Sequence, residues 1–235
     1  MLMKRQKSIL DAVIRTHVRT ARPVASQDIM HRQRALRVSA STIRNEMVKL
    51  DEQGYLEQPH TSAGRVPTDE GYRSYVERIR EYAVLDERDQ QRIRAIFTSF
   101  DEVDTFLREF GIGLSRVTKS FVATGAFEDQ AFFDVGFGEI LAEPEFHDIR
   151  YAEEFGRLVD LLHARREEMM QHLDDESHRV LIGKENPLPE AHRYTMLSAS
   201  WHHPQGFEGF VTILGPRRMD YRKNIALLHY LEEWR

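Results

Sequence analysis

The chain has 235 residues, a net charge of −5, 41% hydrophobic residues and no cysteine. That length can bury a sizeable core in one or two domains, and the lack of cysteine excludes disulfides, thiol nucleophiles and thiolate metal sites together. No run reaches the roughly 18 apolar residues of a membrane span, and Met-Leu-Met-Lys-Arg-Gln-Lys is followed by no signal-peptide core, so a cytoplasmic protein without a membrane partner is expected.

The charge is split along the chain. Residues 1–80 carry 15 Lys+Arg against 9 Asp+Glu, a net +6, whereas residues 81–235 carry 18 against 29, a net −11. A basic module joined to an acidic one is expected when only the first approaches phosphates.

Leu10, Val13, Ile14 and His17 recur at helical spacing and predict a first helix over residues 4–19. Pro23 interrupts it, and Ser26 is the expected cap of a short second helix through Met30, anchored by Ile29 and Met30. A connector rich in His and Arg fills 31–37. Ser39 then caps a third helix whose buried stripe is Ile43, Met47 and Leu50 and whose left-handed stop is Gly54. Its opposite face holds Ser41 and Asn45, flanked by Thr42, Arg44 and Lys49. Three short helices with a turn before the third predict a helix-turn-helix, whose last helix lies in the major groove of DNA. Strands at 55–56 and 65–66 would hold the tip of a wing.

Thr68 is the expected cap of the next helix, with Asp69 and Glu70 in the first turn where the dipole favours anions. Residues 69–116 read as mostly helical, on stripes formed by Tyr72, Tyr75, Val76, Ile79 and Ala83, then Ile93, Ile96, Phe97 and Phe100, then Phe106, Leu107, Phe110 and Leu114. Asp86 marks the expected linker. Beyond Ser120 short strand-like runs at 120–124, 131–135, 179–182, 195–199 and 210–214 alternate with helical patterns. The helices are expected at 151–173, with Phe155, Leu158, Leu162 and Met169, and at 221–234, with Ile225, Leu228 and Leu231. The expected fold class is α+β.

The chemistry points to nucleic acid rather than catalysis. The planar ends of Arg44 and Asn45 match guanine O6/N7 and adenine N6/N7 bidentately, and Ser41 and Thr42 suit bases or phosphates. The candidate DNA-contacting set is Ser39, Ser41, Thr42, Arg44, Asn45 and Lys49 on the third helix, with His60, Thr61, Ser62 and Arg65 on the wing. The wing residues would add affinity and salt sensitivity more than specificity; Lys4, Arg5 and Lys7 suit either phosphate contact or plain solubility. Eleven histidines include no His-Glu-x-x-His, and His202 and His203 point to opposite faces of a strand, so no metal is expected. The pairs Glu153-Glu154, Glu167-Glu168 and Glu232-Glu233 fall at consecutive helical positions, which do not face one another. Gly136-Phe-Gly138 opens no phosphate-binding fingerprint. Arg217 and Arg218 read as capping and surface residues. No enzyme activity and no cofactor are expected.

At this point the motifs resemble a known family. Val38-Ser-Ala-Ser-Thr-Ile-Arg-Asn-Glu-Met, Gly54-Tyr-Leu, Gln58-Pro-His-Thr-Ser-Ala-Gly-Arg-Val-Pro-Thr-Asp69 and Gly71-Tyr-Arg are similar to HrcA, the heat-inducible transcription repressors of bacteria. So are Glu143-Pro-Glu-Phe146, Val180-Leu-Ile-Gly-Lys-Glu-Asn186 and Gly215-Pro-Arg-Arg-Met-Asp-Tyr221. The resemblance implies an N-terminal winged helix-turn-helix domain followed by a GAF-like α+β domain. It implies a homodimer on an inverted repeat of double-stranded DNA upstream of chaperonin and chaperone operons, release on heat stress, and the chaperonin as modulator. The domains expected are 1–83, the winged helix with its connecting helix; 84–116, a helical linker; and 117–235, a shortened GAF-like regulatory and dimerisation domain. The shortening falls near 124–130 and implies loss of an inserted dimerisation subdomain and of some sheet strands. Ala21 and Ala25 stand where family members often carry Gly. A second reading from the same likeness is a winged-helix regulator whose GAF-like domain senses a small metabolite.

Overall fold

The computed structural model describes residues 2–32, 38–128, 131–165 and 178–232. Most of the connector expected at 31–37 lies outside them, as do Glu167, Glu168, Met169, Glu233 and Trp234. The chain divides into two compact units, Met1–Glu81 and Tyr82–Arg235.

In the first unit, helix α1 (Lys4–Thr20) buries Ile9, Leu10, Ala12, Val13 and Ile14. It ends at Ala21, whose φ of 52° is the left-handed conformation that favours glycine. Helix α2 (Ser26–Arg32) starts differently from the expectation: the carboxylate of Asp28 accepts from the Ala25 N–H at 2.9 Å, so Asp28 reaches back to cap and Ser26 lies within the helix, buried. Helix α3 (Ala40–Glu52) follows its sequence pattern. Ser39 Oγ accepts from the Thr42 N–H, Ile43, Met47 and Leu50 are buried, and Gly54 takes a φ of 81°.

Strands β1 (Leu56–Glu57) and β2 (Val66–Pro67) pair antiparallel, one residue later than expected. The shift has a cause at each end. The Tyr55 N–H is still bonded to Leu50 O at the close of α3, and Arg65 bridges to Val24 through two 2.9 Å backbone bonds. Helix α4 (Asp69–Ile79) is capped by Thr68, which also donates to Gly54 O at 2.6 Å and so ties the end of α3 to the start of α4.

In the second unit, α5 (Glu87–Ser99) and α6 (Val103–Thr118) occupy most of the segment expected as a linker. They pack on each other, and α6 packs on the sheet, burying Ile93, Phe97, Phe106, Leu107, Phe110 and Leu114. Asp86, read as the linker mark, is the cap of α5. The sheet has five antiparallel strands in the order β4-β3-β7-β6-β5: β3 (Phe121–Ala126), β4 (Phe132–Val135), β5 (His178–Ile182), β6 (Tyr194–His202) and β7 (Glu208–Pro216). The expected loss of strands leaves no gap in it. β3 and β4 pair from Val122↔Val135 to Gly125↔Phe132.

Alternation along the strands gives two buried faces. Phe121, Ala123, Tyr194, Met196 and Leu214 pack with Phe155, Leu158 and Leu162 of α8 (Ile149–Ala164) and with Ile140 of the short helix α7 (Phe137–Leu141). On the other face lie α6 and α9 (Tyr221–Glu232). Thr124 Oγ1 donates to Leu107 O there, Thr195 bonds the Tyr221 hydroxyl, and Trp201 packs on Phe106 and Phe110. Among the described residues no helix is long and apolar enough to cross a membrane.

Arg217 and Arg218 were expected at the surface, and Arg218 is a correction. Its side chain is buried, with Nε 2.7 Å from Glu145 and a further ion pair to Glu143. Two motifs far apart in sequence, Glu143-Pro-Glu and Gly-Pro-Arg-Arg, are thereby one structural feature. Burial by itself lowers the pKa of the guanidinium, but the hydrogen bonds and charges of Glu145 and Glu143 outweigh it and push the pKa further up.

Candidate nucleic-acid interface

The third helix presents two faces of opposite chemistry. Its buried side is Ile43, Met47 and Leu50; its outer side is Ser41, Arg44, Asn45, Val48, Lys49 and Glu52, all exposed. The hydroxyls of the first turn form a closed set: Ser39 Oγ lies 2.8 Å from Ser41 Oγ and 3.0 Å from Thr42 Oγ1, and accepts from the Thr42 N–H at 3.2 Å. That network fixes the start of the helix while leaving Ser41 at the surface. Ser39 and Thr42 therefore act first as capping residues.

Arg44 and Asn45 are exposed, and neither side chain has a hydrogen-bond or ion-pair partner among the described residues. Lys49 is half exposed and pairs with Glu46 at 3.2 Å, one turn back on the same helix. Glu46 is buried, so this contact offsets its desolvation and occupies the ammonium in part.

The loop between β1 and β2 carries the other expected residues. His60, Thr61 and Ser62 are exposed at its tip. Gln58, itself exposed, donates from Nε2 to the carbonyls of Thr61 and Ala63 at 2.9 and 3.0 Å and so braces the turn. Gly64 permits the close approach of the loop to the body: a Cβ there would lie 2.4 Å from the backbone of Val24.

Arg65 was expected to reach phosphate. Instead it turns inward, with Nε 2.8 Å from Asp51 Oδ2 and its side chain 15% exposed. It acts as a strut between the loop and the last turn of α3, and of the expected wing residues His60, Thr61 and Ser62 remain at the loop surface. The pairing was invisible in sequence because Asp51 had no assigned role. Among the described residues no three His, Asp or Glu side chains cluster as metal ligands would.

Together these contacts make a frame on which Arg44 and Asn45 are left without a side-chain partner among the described residues. Ser41, Arg44 and Asn45 sit at spacings of three and four residues, so they share one helix face. A guanidinium and a carboxamide side by side in solvent stabilise the fold little, and they suit hydrogen bonding to base edges.

Comparison with known proteins gives this frame a context. Residues 40–225 match the family model described as the HrcA protein C terminal domain. A protein of Acetivibrio thermocellus named heat-inducible transcription repressor HrcA is 41% identical over 119 residues, which are 50% of this chain and 34% of that one. The protein of the same name from Clostridium perfringens (strain ATCC 13124) is 26% identical over 329 aligned positions, covering 97% of this chain and 96% of the relative. With 235 residues, this chain leaves at least 94 of those positions without a counterpart. The chain thus spans about a third of the first relative's length in direct alignment and matches the second only across long gaps. A solved structure described as the crystal structure of a hypothetical protein superposes with a TM-score of 0.79 at 19% identity, covering 99% of this chain and 97% of that one, so the fold has an experimental counterpart. With a family model spanning most of its length, the chain belongs to the HrcA family.

Proposed function

We propose that this chain is a transcription repressor of heat-shock genes that acts by binding DNA through its first unit. In this reading α1 to α3 with the β1–β2 ribbon form a winged helix-turn-helix, α3 enters the major groove, and the 58–65 loop is the wing. The observation that carries it is on the outer face of α3, where Arg44 and Asn45 stand exposed with no side-chain partner among the described residues, beside a first turn fixed by Ser39. The names of the relatives, heat-inducible transcription repressors, give the reading its biological sense.

The reading divides the roles among these residues. Arg44, Asn45 and Ser41 read base edges; His60, Thr61 and Ser62 approach the backbone or the adjacent minor groove; Lys49 adds charge near phosphate. Arg65 contributes by holding the wing at a fixed angle to α3. The second unit, an antiparallel sheet with helices on both faces, is read as the GAF-like part that pairs two copies on an inverted repeat, with the chaperonin as modulator.

The test is a gel-shift titration, at stated salt, of the purified chain on the duplex upstream of its organism's chaperonin operon, beside a scrambled duplex of equal length. The expected result is a shift of the operator duplex at concentrations at least a thousandfold lower than the scrambled one, within the roughly 10³ to 10⁷ range of specific over non-specific binding. Equal affinity for the two duplexes contradicts the proposal.

A further inference from the structure

The outer face of α3 contains one residue that donor chemistry does not explain. Val48 is 37% exposed, while the other large apolar side chains of α3, Ile43, Met47 and Leu50, are all buried. In the first unit the other large apolar side chain exposed among the described residues is Met3. A β-branched side chain at an exposed helical position gives up helix propensity relative to Lys, Glu or Leu, and Val48 wins no ion pair in return.

Its position is informative. Ser41, Arg44, Asn45 and Val48 stand at i, i+3, i+4 and i+7, which places all four on one stripe. From Ser41 to Val48 the helix advances about 10 Å, about three base-pair steps at roughly 3.4 Å each. One turn beyond Val48 the exposed residue is Glu52, whose carboxylate is repelled by phosphate, so Val48 closes the readable part of the stripe.

The major groove offers a valine one matching feature, the C5-methyl group of thymine. We infer that Val48 is a specificity-determining residue that packs against a thymine methyl, at the end of a stripe whose polar members read neighbouring bases. The inference rests on the DNA-binding reading above and adds a particular base to it. It assigns an apolar, shape-based element to a face otherwise made of hydrogen-bond donors and acceptors.

The test uses the full chain and duplexes recovered with it by selection from a random double-stranded pool. Each thymine of the recovered half-site is replaced singly by deoxyuridine, which removes the methyl and leaves every hydrogen-bonding group in place. The expected result is one position per half-site at which the wild-type chain binds about fourfold more weakly, the factor equivalent to about 0.8 kcal/mol for one buried methylene-sized group. At that position Val48→Ala binds the thymine and deoxyuridine duplexes equally.

Three results overturn the inference while leaving the DNA reading intact: a recovered half-site without thymine, unchanged affinity at every deoxyuridine, or a Val48→Ala variant that keeps the full preference for thymine. Recovery of no sequence at all overturns the DNA reading, and this inference with it. The deoxyuridine scan of the wild-type chain needs no variant to fold.

Discussion

In the first unit Arg44 stands exposed on α3 with no acidic partner among the described residues, whereas in the second Arg218 is buried between Glu143 and Glu145. The same side chain does different physical work in the two places. A buried guanidinium gripped by two carboxylates is part of what holds the second unit together, since losing either side strands a charge in low dielectric. An exposed one with no partner contributes little to folding, which leaves it available for the outside partner proposed above.

That contrast is broken most forcefully at Arg218. Arg218→Ala leaves Glu143 and Glu145 facing each other without a counter-charge, and a loss of about 3 to 5 kcal/mol from the stability of the second unit is expected. A urea titration of the full chain checks it. Arg44→Ala in the same titration should change stability by less than about 0.5 kcal/mol.

The next effect is on binding rather than folding. Arg44→Ala and Asn45→Ala should each cost about 1 to 3 kcal/mol of discrimination between the selected duplex and one altered at the contacted base pair. Arg65→Ala, which frees the β1–β2 loop from Asp51, should instead weaken affinity for both duplexes alike. A fluorescence-anisotropy titration of all three variants on both duplexes separates these outcomes.

A smaller effect sharpens the view of the second unit as a stability-driven interior. His203 is buried, its ring stacked on Phe207 at 4.1 Å between centroids and on Phe97 at 5.9 Å, and packed edge-on against Phe106. Burial holds its pKa below the ordinary value of about 6.5, with Asp101 pulling the other way. In the unfolded chain the imidazole takes up a proton as the pH falls below about 6.5, while in the folded chain it resists. The stability present above that pH is therefore lost progressively as the pH drops toward the depressed value. Denaturation midpoints at pH 7.5 and 5.5 should differ more for the wild-type chain than for His203→Phe.

The smallest expected change has the opposite sign. Ala21 adopts a left-handed φ of 52° at the end of α1, a conformation that costs an L-residue roughly 1 kcal/mol. Ala21→Gly should raise the thermal midpoint of the first unit by the few degrees that correspond to that energy.

What the sequence disclosed, and what it withheld, follows the range of the interactions. Ser39 and Thr68 were legible as caps because a cap is satisfied within three residues, and Ile43, Met47 and Leu50 were legible because a buried helix face repeats. The cap of α2 was misread for a local reason: Ser26 and Asp28 both suit the role, and the carboxylate reaching back took it. Stripes at Ile93, Phe97, Phe106 and Phe110 announced buried faces without saying what covers them, so helices packed within the second unit were read as a linker. Arg65 with Asp51, 14 residues away, and Arg218 with Glu143, 75 residues away, depend on tertiary placement. Their motifs could be seen in sequence; their partners could not. Val48 was missed because a lone valine among polar neighbours carries no signal until its exposure is known.

The most direct test of the account is the ratio of affinities of the full chain for a selected duplex and for a scrambled one, measured for the wild type and for the Arg44→Ala, Asn45→Ala double variant. Stability of both proteins is followed in the same buffer. The double variant is expected to keep the wild-type unfolding midpoint and to lose at least about 2 kcal/mol of the discrimination, the sum of two contacts at the lower end of their range. A double variant that folds and discriminates like the wild type contradicts the assignment of α3 as the reading element.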